Sequence, residues 1–130
     1  MMRPVRRASL FAAALVSVLL CATAGYPADR FVPGIEDLPL MPGLVEAPDA
    51  SVVFDTPSGR IVQTEATGQM SREQVLAFYA ETLPQLGWRS LAAGLFLRED
   101  EVLRIEFDEV GDPGMTVRFA LSPATEVDKP

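Results

Sequence analysis

Ser71 to Trp88, SREQVLAFYAETLPQLGW, reads as one amphipathic helix whose start and stop are both written in its residues. Ser71 is an N-cap residue, and Gln74, three positions on, completes a capping box in which each side chain takes up a backbone N–H that the first turn leaves free. Val75, Phe78, Tyr79, Leu83 and Leu86 recur at helical spacing and make one apolar stripe, with Arg72, Glu73, Ala77, Ala80 and Glu81 on the opposite side. Gly87 is the stop, and Trp88 opens the next element. Pro84 has no N–H to bond the carbonyl of Ala80, so the helix either ends near Leu83 or kinks; the phase of Leu83 and Leu86 favours the kink.

Downstream the apolar period changes from 3.6 to 2. Trp88 to Leu91, Leu95 to Arg98, Val102 to Asp108 and Met115 to Ser122 are short strand-like runs separated by turn residues. In the third run Leu103, Ile105 and Phe107 face one way and Arg104, Glu106 and Asp108 the other. In the fourth, Met115, Val117, Phe119 and Leu121 oppose Thr116, Arg118 and Ser122. Such alternation marks a sheet with one buried and one wet face, and the helix stripe is its natural cover. The two runs are joined by a turn and should pair antiparallel, setting Arg104 or Glu106 across from Arg118 or Thr116. Upstream, Val52 to Asp55 and Gly59 to Glu65 flank Pro57-Ser58-Gly59 and read as a hairpin. The fold class is α+β: a hairpin, a helix and a β-meander, with about five to six short strands in one antiparallel sheet.

Motif and order together resemble a known kind of protein. Val75-x-x-Phe78-Tyr79-x-x-x-Leu83-x-x-x-Gly87-Trp88, followed by a short meander, is similar to the helix of small secreted or lipid-anchored bacterial α+β modules of unknown function. The resemblance spans roughly Val52 to Pro123 and implies location and fold, with no catalytic residue attached to it.

Before the hairpin, residues 25–50 hold Pro27, Pro33, Pro39, Pro42 and Pro48 with apolar residues between them. Phe31, Val32, Ile35, Leu38, Leu40, Met41 and Leu44 are too many apolar groups for a flexible linker, so the segment is expected as an extended arm. Packing on its own domain is the commoner fate of such a strip; docking to a partner is the alternative, with Phe31, Leu38, Leu40, Met41 and Leu44 as the contact residues. Residues 124–130 form a polar tail, expected to fray.

Residues 1–24 read as a secretory leader. Arg3, Arg6 and Arg7 make a positive start, Ala8 to Leu20 is an apolar run of leader length, and Ala22-Thr23-Ala24 is a small-x-small cleavage site. Cleavage there places the protein in the periplasm or outside the cell. The alternatives are a retained anchor over Ala8 to Ala28, or a lipoprotein acylated at Cys21, where Leu20 stands in place of the small residue that lipoprotein processing prefers. Losing three arginines takes the net charge from −7 to about −10 and leaves no cysteine, so a disulfide framework is excluded. Nucleic acid is an unsuitable partner for so acidic a chain.

With no histidine, imidazole triads and imidazole metal sites are excluded, and the sole lysine is Lys129. What remains is carboxylate chemistry, in which Glu99, Asp100 and Glu101 could oppose Asp108, Glu109 and Asp112 as an acid and base pair or a calcium site. Arg104 and Arg118 share the open face and could hold an anionic ligand, although cross-strand pairing with Glu106 and its neighbours is the routine use of such charges. The expected function is therefore an exported, non-enzymatic binding module without a cofactor, acting on an envelope protein or a small ligand. A carboxylate-dependent hydrolase or a calcium-binding domain is the alternative. Membrane contact is expected only if the leader is retained or Cys21 is lipidated.

Overall fold

The computed structural model describes residues 2, 30–109, 114–125 and 128–129. Apart from Met2, residues 1–24, expected as a leader, lie outside the described residues, as do residues 25–29 of the expected arm and Asp112. Among the described residues no helix is long and apolar enough to cross a membrane.

One helix, α1 (Arg72–Thr82), packs on an open antiparallel sheet, as an α+β protein requires. The strands are β1 (Val45–Glu46), β2 (Val52–Thr56), β3 (Gly59–Gly68), β4 (Arg89–Ala92), β5 (Leu95–Arg98), β6 (Glu101–Glu109) and β7 (Met115–Pro123). Their order is β1-β3-β7-β6-β5-β4, with β2 beside β3. β1 and β2 lie end to end along one edge of β3, β1 against Ala66 and Thr67 and β2 against Gly59 to Gln63. β7 takes the other edge from Val62 to Gly68. The sequence predicts five to six strands; the seventh, β1, has only two residues and no alternation to betray it.

The buried face is built by period 2. Val62 and Ala66 on β3, Leu103 and Ile105 on β6, and Met115, Val117, Phe119 and Leu121 on β7 all join one apolar core with Phe96 of β5. Val75, Tyr79 and Leu83 reach it from above, and the Tyr79 and Phe119 rings meet edge to face at 5.4 Å. Burying each such side chain contributes about 1.5 to 3 kcal/mol. Phe78 is half-buried, and Trp88 is buried.

α1 begins as its sequence directs: Ser71 Oγ accepts from the Gln74 amide at 3.1 Å, and Gln74 Oε1 accepts from the Ser71 amide at 2.9 Å. Its end differs from the expected kink. The α-helix stops at Thr82, and Leu83–Leu86 tighten into a 3₁₀ turn closed by Gly87, which is left-handed at φ 88°. Pro84 withholds the donor that an α-turn needs there, so the chain changes to shorter-range bonds, such as Gly87 N–H to the Pro84 carbonyl at 3.3 Å. Leu86 swings out of the stripe as a result and is 37% exposed.

The tail does not fray where it is described. Ala124 donates to the Asp100 carbonyl at 2.7 Å, and Thr125 donates through both its amide and its hydroxyl to Asp128 Oδ2. These bonds hold the Asp128 carboxyl below the usual carboxylate range.

Candidate functional site

Residues 31–44 were expected to run extended, and instead they turn repeatedly. Val32-Pro33-Gly34-Ile35 and Met41-Pro42-Gly43-Leu44 each close with an amide of the fourth residue bonding the carbonyl of the first, at 3.0 Å in both cases. Gly34 and Gly43 have φ of +83° and +95°, the left-handed third position that a Pro-Gly turn demands. A further turn bonds the Leu38 amide to the Ile35 carbonyl, and Phe31 then pairs with Pro39 in an antiparallel bridge. The physical reason is that a proline followed by glycine presets a reversal, whereas proline alone favours extension.

Folded back in this way, the segment lays Val32, Ile35, Leu38, Leu40 and Leu44 into the core, and Met41 packs against it. Two side chains hold it down. Tyr79, fully buried, donates from its hydroxyl to the Pro39 carbonyl at 2.8 Å and accepts from the Met41 amide at 3.1 Å. Burial pushes this phenol well above its ordinary value, so it remains a neutral donor. Arg98 grips Asp37 with both guanidinium NH2 groups, donates to the Leu86 carbonyl at 3.2 Å, and lies 4.3 Å over the Trp88 ring. The hydrogen bond from Arg98 holds the Asp37 carboxyl below its ordinary value.

On the open face, β6 and β7 pair Glu106 with Arg118, Asp108 with Thr116, and Arg104 with Ala120. Arg118 is ringed by Glu65 and Asp108, each at 3.0 Å, and Glu106 at 3.6 Å. Its hydrogen bond to Glu65 and the surrounding carboxylates raise its already high pKa. Arg104 stands apart and meets Asp128 at 4.0 Å. The two arginines thus serve different carboxylates and do not converge on a shared anion position. Glu101 and Asp108 lie near opposite ends of β6, so these two acids are separated along one strand instead of facing each other. Among the described residues no acidic cluster is spaced to hold a metal ion.

One shallow depression of about 580 Å³ is lined by Gly43, Val45, Thr67, Gly68, Gln69, Gly114, Met115 and Thr116, none of them an acid or a base. The more telling surface is β2. Val52, Val53 and Phe54 are 42%, 50% and 58% exposed, and Phe31 is 48% exposed. β2 bonds β3 along one side, and among the described residues no strand covers its other side. Of the sequence-derived contact residues, Phe31 and Arg104 are exposed, Met41 and Arg118 are half-buried, and Leu38, Leu40 and Leu44 are buried. The exposure of the β2 triplet was not read from the sequence, although an apolar run with no polar residue alternating through it was its signal.

The molecule is thus an α+β sheet protein that presents an apolar edge and an ion-paired open face. No protein-family model, no curated protein and no solved structure matches the chain.

Proposed function

We propose that the protein is an exported, non-enzymatic binding module that meets its partner along the β2 edge. The observation that carries this reading is the exposure of Val52, Val53 and Phe54 in a row on a strand edge. Scattered apolar side chains on a surface need no explanation, but an uncovered apolar edge is a ready template for another strand. Export is supported by the basic start, the apolar run and the Ala22-Thr23-Ala24 site of the leader. The non-enzymatic reading draws support from Asp37, Glu65, Glu106 and Asp108, which are engaged by arginines, and from the separation of Glu101 and Asp108 along one strand.

The test is photo-crosslinking in intact cells, with a photoreactive amino acid placed at Phe54 and, as a control, at the exposed Glu81 of α1. A discrete adduct at the first position and none at the second is expected. Failure to obtain any adduct at Phe54 would sink the proposal.

A further inference from the structure

Resting on that reading, we infer that the occupant of the β2 edge is a second copy of this chain, paired β2 to β2 antiparallel about a two-fold axis through Val53. The sheet has two outer edges, and they are treated differently. β4 is guarded: Arg89 is exposed on it, and its register with β5 slips between Ser90 and Ala92, the kind of irregularity that discourages another strand. β2 lacks the slip: its register with β3 is unbroken from Val52 to Thr56, it contains no proline, and its one charge, Asp55, follows the apolar triplet.

Charge and pattern then select the occupant. With the axis through Val53, Val52 of one copy faces Phe54 of the other on the open face, and the two Val53 side chains face each other on the opposite side. Ser51 falls across from Asp55, a donor opposite an acceptor. Moving the axis to Phe54 would instead set the Asp55 carboxylate against Val53, which favours the first register. For a chain of net charge −7, like charges at a self-contact must be kept apart. In the chosen register each Asp55 lies four residues along the strand from its counterpart, roughly 13 Å, beyond the screening length of about 8 Å at physiological salt. A two-fold contact of this kind is closed and leaves no free β2 edge to propagate. One strand a side is far smaller than the roughly 20 to 30 residues a side of a standard interface, so the dimer is weak and concentration-dependent.

The test is sedimentation velocity on the purified Cys21→Ser protein over a concentration series, beside the same protein carrying Phe54→Lys. The parent should move towards twice the single-chain mass as concentration rises, and Phe54→Lys should remain at the single-chain mass with an unchanged melting transition. In the same background, Val53→Cys should form a disulfide-linked dimer on mild oxidation, and Ser58→Cys, in the exposed β2–β3 turn, should not. A parent that stays single at every concentration overturns the inference, as does a dimer that survives Phe54→Lys. If the Phe54 photo-adduct has a mass other than two chains, the second copy is excluded while the binding-module reading stands; if no adduct forms, both fall.

Discussion

Residues 31–44 and Val52 to Phe54 are both strongly apolar and stand close together in the chain, yet the first segment is drawn into the core and the second is left on the surface. Hydrophobicity alone does not separate them. The first has two Pro-Gly reversals that bring its apolar groups to one side, and it has Tyr79 and Arg98 to fasten its backbone and its Asp37. The second is held straight by its register with β3, so Val52 and Phe54 point away from the face that the helix covers. Apolar residues are buried where turns let them converge, and remain exposed where a ladder of hydrogen bonds fixes their direction.

The largest test of that contrast is removal of residues 31–44. Five core side chains go with them, and at about 1.5 to 3 kcal/mol each their loss rivals the 5 to 15 kcal/mol that stabilises a typical domain. Thermal unfolding followed by circular dichroism should lose its cooperative transition, and a transition that persists would mean that this segment is no more integral than β2. Trp88→Ala comes next, at about 3 to 5 kcal/mol in denaturant unfolding, because it empties a buried site and strips Arg98 of the ring beneath it. An unchanged midpoint would detach Trp88 from the fastening of the segment.

Tyr79→Phe should cost about 1 to 3 kcal/mol, since the Met41 amide and the Pro39 carbonyl lose their shared partner in a part-buried place. A loss as small as that of a surface substitution would show that water replaces the hydroxyl freely. Asp37→Asn is smaller still, about 0.2 to 1 kcal/mol, because the Asp37 side chain is half-exposed. Here the sign is set by a carboxyl whose folded pKa lies below its unfolded value. Its contribution is present above about pH 4 and is lost as pH falls through the folded pKa. The parent and the variant should therefore differ in melting temperature at neutral pH and converge in acid, and a gap that widens in acid would contradict the ion pair. Phe54→Ser should have the least effect on stability, within about 0.5 kcal/mol. A larger loss would place Phe54 in the core and dissolve the contrast.

How legible each part was depended on how far apart its causes lie in the chain. The capping box of Ser71 and Gln74 and the alternation of β6 and β7 are local patterns, and both were readable. The antiparallel pairing of β6 with β7 was readable too, but its register was not: Arg104 or Glu106 could have faced Arg118 or Thr116, and the finished sheet sets Glu106 against Arg118. Pro84 was noticed, but whether it bends a helix or ends it is decided by the competition between Leu83 and Leu86 for the core, which Leu83 wins. The turns at Pro33-Gly34 and Pro42-Gly43 carried a local signature that the apolar content of the segment obscured. The Arg98 and Asp37 contact had no local signature at all, because 61 residues separate the pair and only the finished fold brings them together. The exposure of β2 followed from strand order, and strand order is not written in any one strand.

β3 is the strand on which that order turns, and it couples the architecture to time. Its early partners, β1 and β2, are neighbours in sequence, but its other edge, from Val62 to Gly68, waits for β7, which follows every other strand and the helix. Until Val62 meets Leu121 and Thr64 meets Phe119, the floor beneath Tyr79 is missing, and the helix has nothing to settle on. Such long-range closure makes folding slow relative to helical proteins of this size, on the order of milliseconds to seconds. A chain emerging from its N-terminal side would therefore stay pliable and threadable until its last strand arrives.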